Sequence, residues 1–163
     1  MMIGMSALLF ACGLATVGAA LVMAARSDLR SFTIENRYPA IIVAAYPAAL
    51  FGLPPSVWSL GLATGALALL IGALLFARQW VGGGDVKLVS AVALWAGPLF
   101  IDDFLMVTSV AAVFLAAAIV LTPLPRLLGC GQGPVNGFSQ PMPFGAPIAA
   151  GGLWVVALHF TAF

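Results

Sequence analysis

The chain has 163 residues, of which 63% are hydrophobic and 7% charged, and its formal net charge is +1. An ordinary soluble domain carries about 25% charged residues, so this composition predicts an integral membrane protein and argues against nucleic-acid binding. The length gives room for a single membrane-embedded domain over residues 1–163 and for no added soluble domain.

Six apolar runs, separated by Gly, Pro or charged residues, predict an all-α bundle of about six transmembrane helices. They cover residues 3–25, 38–53, 57–77, 86–101, 104–122 and 145–162. A spanning helix needs about 20 residues, so the second and fourth runs are short. The second also contains Pro39 and Pro47, which leaves a tilted or re-entrant segment open. Within the third run, Gly61 and Gly65 have the spacing that lets membrane helices pack closely.

The basic residues predict the orientation, because Lys and Arg accumulate in cytoplasmic loops. All of them fall in the loops after the first, third and fifth runs, namely Arg26, Arg30, Arg37, Arg78, Lys87 and Arg126. The opposite loops contain no Lys or Arg. We therefore expect both termini on the non-cytoplasmic side. Asp28 and Asp85 then share the cytoplasmic side, whereas His159 lies near the far end of the sixth helix as an interfacial residue.

Two acids beside apolar runs are the candidate reactive groups. Asp85 follows three glycines, Gly82-Gly83-Gly84, which let another chain approach closely, and a carboxylate next to hydrocarbon marks a functional site. A carboxylate pair can hydrolyse an amide when the ionised member activates water and the protonated member donates to the carbonyl oxygen. Because the helix dipole favours negative charge at an amino end, we expect Asp85 to be the ionised member and Asp28 the protonated one.

Each acid also has a simpler interpretation. Asp28 fits an interfacial charge paired with Arg26 or Arg30, and Asp85 fits a helix N-cap. Lys87 fits an interfacial lysine whose stem crosses the membrane border. It also fits a group that acts on Asp85 or on the substrate backbone.

Three groups of residues resemble the type IV prepilin peptidases, which are intramembrane aspartic proteases of the GxGD type. They are Asp28-Leu29 with Ile34-Glu35-Asn36, then Gly82-Gly83-Gly84-Asp85-Val86-Lys87-Leu88, and last Pro143-Phe144-Gly145-Ala146-Pro147-Ile148-Ala149-Ala150-Gly151. The short chain is most similar to the compact members that serve tight-adherence (Flp-type) pili. Glu35 is a departure, since many relatives have proline there. The paired Cys-x-x-Cys segment of the larger, methylating members is also absent from the sequence.

This resemblance implies that Asp28 and Asp85 are the catalytic pair and that Gly82 and Gly84 are the motif glycines. For substrate binding or support of the motif we expect Gly83, Lys87, Asn36, Pro143, Phe144 and Gly145. The implied substrate is a pilin-like precursor with a short basic leader, a glycine before the cut and then an apolar helix. The implied location is the bacterial inner membrane, with the site facing the cytoplasm, and we expect neither a cofactor nor a metal.

Two other functions stay open from the residues alone. A small transporter could use the acids to bind cations or relay protons, but its site is expected near the midplane on broken helices. A non-catalytic subunit of a secretion or pilus assembly is the second alternative. The Pro- and Gly-rich loop 122–144 is either a lid or a segment without regular structure, and we expect its end, Pro143-Phe144-Gly145, to border the acids.

Overall fold

The computed structural model describes residues 2–121 and 143–162, and all regular structure within these ranges is helical. In chain order the elements are α1 (Met2–Ser31), α2 (Arg37–Ala44), a 3-10 helix (Tyr46–Phe51), α3 (Pro55–Ala77), α4 (Gly83–Leu121) and α5 (Gly145–Ala162). The predicted all-α class is confirmed. The lid hypothesis for loop 122–144 falls mainly on residues outside the described ranges.

Four helices in the described ranges are long and apolar enough to cross a membrane, namely α1, α3, α4 and α5. The protein is therefore a multi-pass membrane protein. The predicted second span, 38–53, is divided between the eight residues of α2 and the 3-10 helix. At about 1.5 Å per residue α2 is only about 12 Å long, against a hydrocarbon core of about 30 Å. The count of six spans and the placement of the termini stay predictions.

Helix α4 is interrupted at Gly97, which has φ 54° and ψ −168°. Glycine tolerates this positive φ, and Pro98 directly after it cannot donate a backbone hydrogen bond to the preceding turn. The interruption divides α4 into a first arm, residues 83–96, and a second arm, residues 98–121. Our prediction placed the break at residues 102–103, so the observed break comes earlier.

The two arms pack against α5 in opposite directions. The contacting pairs, in chain order along α4, are Val92 with Gly152, Trp95 with His159, Phe100 with His159, and Thr108 with Gly151. The first arm thus runs along α5 in the same direction, and the second arm returns antiparallel to it. The reversal at Gly97 makes the arms a helical hairpin.

Helix α3 packs on the first arm through its glycines, as the sequence predicted. A Cβ atom on Gly65 would lie 3.0 Å from the Leu94 Cβ, and one on Gly61 would lie 2.7 Å from the Leu94 carbonyl oxygen. Larger side chains at either position would hold the two helices apart. The close approach fixes the first arm, and with it the start of α4.

His159 is buried, with 2% of its surface exposed, so its predicted interfacial position is wrong. Its ring lies among the rings of Phe10, Trp95 and Phe100, at centroid distances of 6.1, 6.4 and 5.0 Å. These rings come from α1 and from both arms of α4. They form an aromatic core at the end of the bundle opposite the acids.

Candidate active site

Asp28 lies in the last turn of α1, and only 4% of it is exposed. The helix ends three residues later at Ser31, and the next residue, Phe32, has a left-handed backbone with φ 51°. Arg26 and Arg30 are exposed, and residues two positions away on a helix do not face each other. No ion pair involves Asp28 among the described residues. The interpretation of Asp28 as an interfacial charge paired with these arginines is therefore not supported.

The Asp28 carboxylate is held by the start of α5. The backbone N–H of Gly145 donates a hydrogen bond of 2.7 Å to its Oδ2 atom. A Cβ atom on Gly145 would lie 2.9 Å from that oxygen and 2.9 Å from the Ile34 Cδ1, so only glycine fits without a shift. This contact places the third sequence motif directly at the first acid. The neighbouring Pro143 is buried, and Phe144 is exposed.

Asp85 lies in the first turn of α4 and is partly buried. It interacts electrostatically with Asp28, so the folded chain brings the two acids together across 57 positions of sequence. Among the described residues, no hydrogen bond to the Asp85 carboxyl group is formed. Its Oδ2 atom lies beside Gly82, where a Cβ atom would be 2.9 Å away.

Each of the three motif glycines makes room for a different neighbour. A Cβ atom on Gly82 would lie 2.9 Å from Oδ2 of Asp85, one on Gly83 would lie 3.2 Å from Phe76 of α3, and one on Gly84 would lie 3.1 Å from Ile34. None of them has a positive φ, since Gly97 is the only glycine of the described residues that does. The motif thus supplies space at the acid, and the left-handed conformations open to glycine are not used.

Lys87 points away from Asp85. Its Nζ atom donates a hydrogen bond of 2.8 Å to Oδ1 of Asn36. Asn36 belongs to the α1–α2 connection, residues 32–36, whose Ile34 also packs on Gly84. These two contacts attach the connection to the start of α4, so Lys87 and Asn36 support the turn that carries Asp85.

Sequence reasoning missed the central position of Ile34. Its side chain meets both Gly84 and Gly145, so it joins the two segments that carry Asp85 and the hydrogen bond to Asp28. Its place in the quoted Ile34-Glu35-Asn36 motif was the available signal. Glu35, in contrast, forms an exposed ion pair with Arg37 at 2.9 Å and does not reach the acids.

Two carboxyl groups in a partly buried site can share the work of general acid and general base. In the part of the chain that the structure describes, no three His, Cys, Asp or Glu side chains lie close enough to hold a metal ion. Proton transfer to and from a water molecule and a substrate is a chemistry that two such carboxyl groups can perform.

The family comparison agrees with this site. The model of the type IV leader peptidase family matches residues 5–121, a range that contains both acids and α4 with its glycine motif, while α5 lies beyond it. No curated protein and no solved structure matches the chain. Because the match covers well over half of the 163 residues, the chain belongs to the type IV leader peptidase family and is an aspartic endopeptidase of the prepilin-processing type.

Proposed function

We propose that Asp28 and Asp85 are the catalytic pair that removes the leader of a type IV pilin-like precursor at the cytoplasmic border of the bacterial inner membrane. The observation that carries the proposal is the meeting of the two acids, with Asp28 fixed by the 2.7 Å hydrogen bond from Gly145. Both belong to terminal turns of their helices. Such positions suit a peptide bond at a membrane border.

The contacts favour Asp28 as the general base. A hydrogen bond to a charged group contributes about 1.5–3 kcal/mol, whereas a charge in the first turn of a helix gains about 0.3–1 kcal/mol from the dipole. Asp28 has that hydrogen bond, and Asp85 has the dipole of α4 alone among the described residues. The ionised form is therefore better stabilised at Asp28. This assignment reverses the expectation from helix ends alone, which took no account of α5.

In the proposed reaction, the Asp28 carboxylate takes a proton from water as the water oxygen attacks the scissile carbonyl carbon. Protonated Asp85 donates its proton to the carbonyl oxygen. The tetrahedral intermediate then loses the amine, which takes a proton from Asp28, while Asp85 regains its proton from the hydroxyl group. The products are the leader with a carboxyl group and the mature chain with a free amine, and both acids return to their starting forms; the leader carboxyl group then releases its proton to water.

The surroundings of the acids suit a peptide in extended form. Gly82 adds no side chain beside the Asp85 carboxyl group, where a Cβ atom would lie 2.9 Å from Oδ2, and an extended backbone needs such space at close range. We assign the exposed Phe144, next to Gly145, to contact with an apolar residue of the precursor. We assign Asn36, Lys87 and Pro143 to support of the site. The tight-adherence (Flp-type) subtype stays part of the proposal, on the basis of chain length.

Co-expression with a pilin precursor tests the catalytic pair. Asp28→Asn and Asp85→Asn should each abolish leader removal while membrane levels stay normal. Asp102→Asn is the matched control, because Asp102 is exposed near the break of α4, at the opposite end of the first arm from Asp85, and should process normally. Leader removal at the normal rate by either of the first two variants would exclude the pair as the catalytic group.

The alternative transport function gains no support from the site. A transporter site is expected near the midplane of the membrane, on broken helices. Both acids instead lie in terminal turns, and the break at Gly97 lies at the other end of the first arm.

A further inference from the structure

A recess lies apart from the acid pair. It is an apolar cleft of about 550 Å³ between α2, α3 and the first arm of α4. Small residues such as Ala40, Gly65, Ala66 and Ala91 leave the space open, and its polar lining is confined to Asn36, Lys87 and Ser90. The Ser90 hydroxyl already donates to the Val86 carbonyl at 2.7 Å. The polar groups that remain available to a ligand are therefore those of Lys87 and Asn36, at one end of the cleft.

The cleft opens away from the acids. Successive residues of an α-helix are about 100° apart around its axis, from 3.6 residues per turn. Lys87, Ala91 and Leu94 line the cleft, and on this spacing they point about 120–180° away from Asp85. A molecule in the cleft therefore lies behind the first arm and does not occupy the space in front of the acids.

The charge of Lys87 is not neutralised by an acid. Within the described ranges, the one ion pair joins Arg37 and Glu35, and the partner of Lys87 is the neutral Asn36 amide at 2.8 Å. An ammonium group has three donors, and this contact uses one. This end of the cleft thus presents a positive charge with N–H donors that are not used by Asn36. A phosphate group, which is negatively charged and accepts hydrogen bonds, fits such a site.

The dimensions fit one lipid tail. The cleft follows the first arm from Lys87 to Leu94, which is about 10 Å at about 1.5 Å per residue. One leaflet of hydrocarbon is about 15 Å deep, half of the core, so the cleft accommodates the greater part of one acyl chain. Two residues that line the cleft, Val43 of α2 and Leu69 of α3, are themselves exposed. The cleft is therefore open sideways to the bilayer, from which a lipid can enter.

We propose that this cleft binds one acyl chain of an anionic phospholipid, with Lys87 and Asn36 on the headgroup phosphate. Basic pockets between transmembrane helices bind anionic headgroups in this manner. Lys87 lies in the first turns of α4, and Asn36 lies in the α1–α2 connection. A headgroup bound to both therefore joins the helix that carries Asp85 to the connection that packs on it. The lipid is thus a structural ligand at the back of the site.

Native mass spectrometry of the purified full chain tests the site. The probes are dioleoylphosphatidylglycerol and dioleoylphosphatidylcholine, which share their tails and differ in net charge. The wild type should retain the anionic lipid preferentially. Ala66→Leu fills the cleft and should remove that preference, and Ala63→Leu, an exposed position on α3 that does not line the cleft, should not. Lys87→Gln should weaken retention of the anionic lipid by about fivefold, and Lys87→Arg should restore it.

Three results would overturn the proposal. Equal retention of the two lipids by the wild type would remove the role of charge. Retention by Ala66→Leu that equals retention by Ala63→Leu would place the lipid elsewhere. Displacement of the anionic lipid by a precursor peptide would identify the cleft as a peptide site. If Ala66→Leu does not fold, the comparison of Lys87→Gln with Lys87→Arg decides, since equal retention by both would also refute the site.

Discussion

Replacing Gly145 by alanine should slow leader removal by moving the Asp28 carboxylate. A Cβ atom there would lie 2.9 Å from Oδ2 of Asp28, 3.0 Å from its Cβ and 2.9 Å from the Ile34 Cδ1. These distances are shorter than ordinary contacts, and both neighbours are packed in the site. The start of α5 must then shift, which lengthens or breaks the 2.7 Å hydrogen bond from Gly145 to Asp28.

The size of the effect follows from that bond. Loss of a hydrogen bond to a charged group costs about 1.5–3 kcal/mol, and each 1.36 kcal/mol in the barrier is tenfold in rate. If the carboxylate must be held in place to act as base, cleavage should slow by about tenfold to a hundredfold. The measurement is the single-turnover rate of leader removal by the purified variant, with excess enzyme over precursor.

Gly18→Ala provides the matched control for this substitution. Gly18 lies on α1 at the same interface with α5, but a Cβ atom there would lie 3.8 Å from Leu153, an ordinary contact. Gly18→Ala should therefore cleave at the wild-type rate. The reasoning is refuted if Gly145→Ala is folded, as judged by thermal unfolding in detergent, and cleaves as fast as Gly18→Ala.

Three other predictions concern local packing and strain. Gln79→Gly should raise the free energy of unfolding by about 0.5–1 kcal/mol, because Gln79 has a left-handed backbone with φ 58° that glycine adopts at lower cost; Gln79→Asn should do so less, and thermal unfolding measures both. Gly84→Ala should slow cleavage because its Cβ would lie 3.1 Å from the Cβ of Ile34, and Ile34→Gly, which removes that atom, should partly restore the rate, with a coupling energy of at least about 0.5 kcal/mol in a double-mutant cycle. Trp95→Phe removes the 3.0 Å hydrogen bond from the indole to the buried carbonyl of Ile42 and should destabilise the fold by about 1–3 kcal/mol in the same unfolding assay.

Each of these has a result that contradicts it. A lower unfolding temperature for Gln79→Gly would show that the turn after α3 is not strained. Additive effects of Gly84→Ala and Ile34→Gly would show that the two positions do not act through their contact. Wild-type stability of Trp95→Phe would show that another group satisfies the carbonyl of Ile42.

Hydrophobic runs predicted the long helices well, because a run of apolar residues long enough to span a membrane has few other folds available. They failed at the interruptions. The charged residues at 102–103 suggested the turn of α4, but the reversal occurs at Gly97, where the Gly-Pro dipeptide was the better signal. Pro39 and Pro47 correctly marked the second run as irregular, and α2 and the 3-10 helix share it.

The acids themselves could be found from the sequence, since charge beside apolar runs is rare enough to stand out. The neighbouring segment Pro143-Phe144-Gly145 was also expected at the acids, but the particular contact was not. The hydrogen bond from Gly145 to Asp28 joins positions 117 residues apart, and no local pattern encodes it. His159 shows the same limit, because its burial depends on rings from α1 and from both arms of α4. The proposed charge states differ from the expected ones for this reason as well, since the expectation used the ends of the first and fourth helices and left out the hydrogen bond from the start of α5.

The hydrogen bond that closes the first turn of α5 on Asp28 also decides which inactive variant suits the capture of an enzyme–precursor complex. Removing the Asp28 charge weakens the anchor of an entire helix, so a complex trapped with that variant would carry a distorted pocket. Asp85 anchors no other helix by a hydrogen bond among the described residues. Asp85→Asn is therefore the variant to crystallise or image with an uncut precursor.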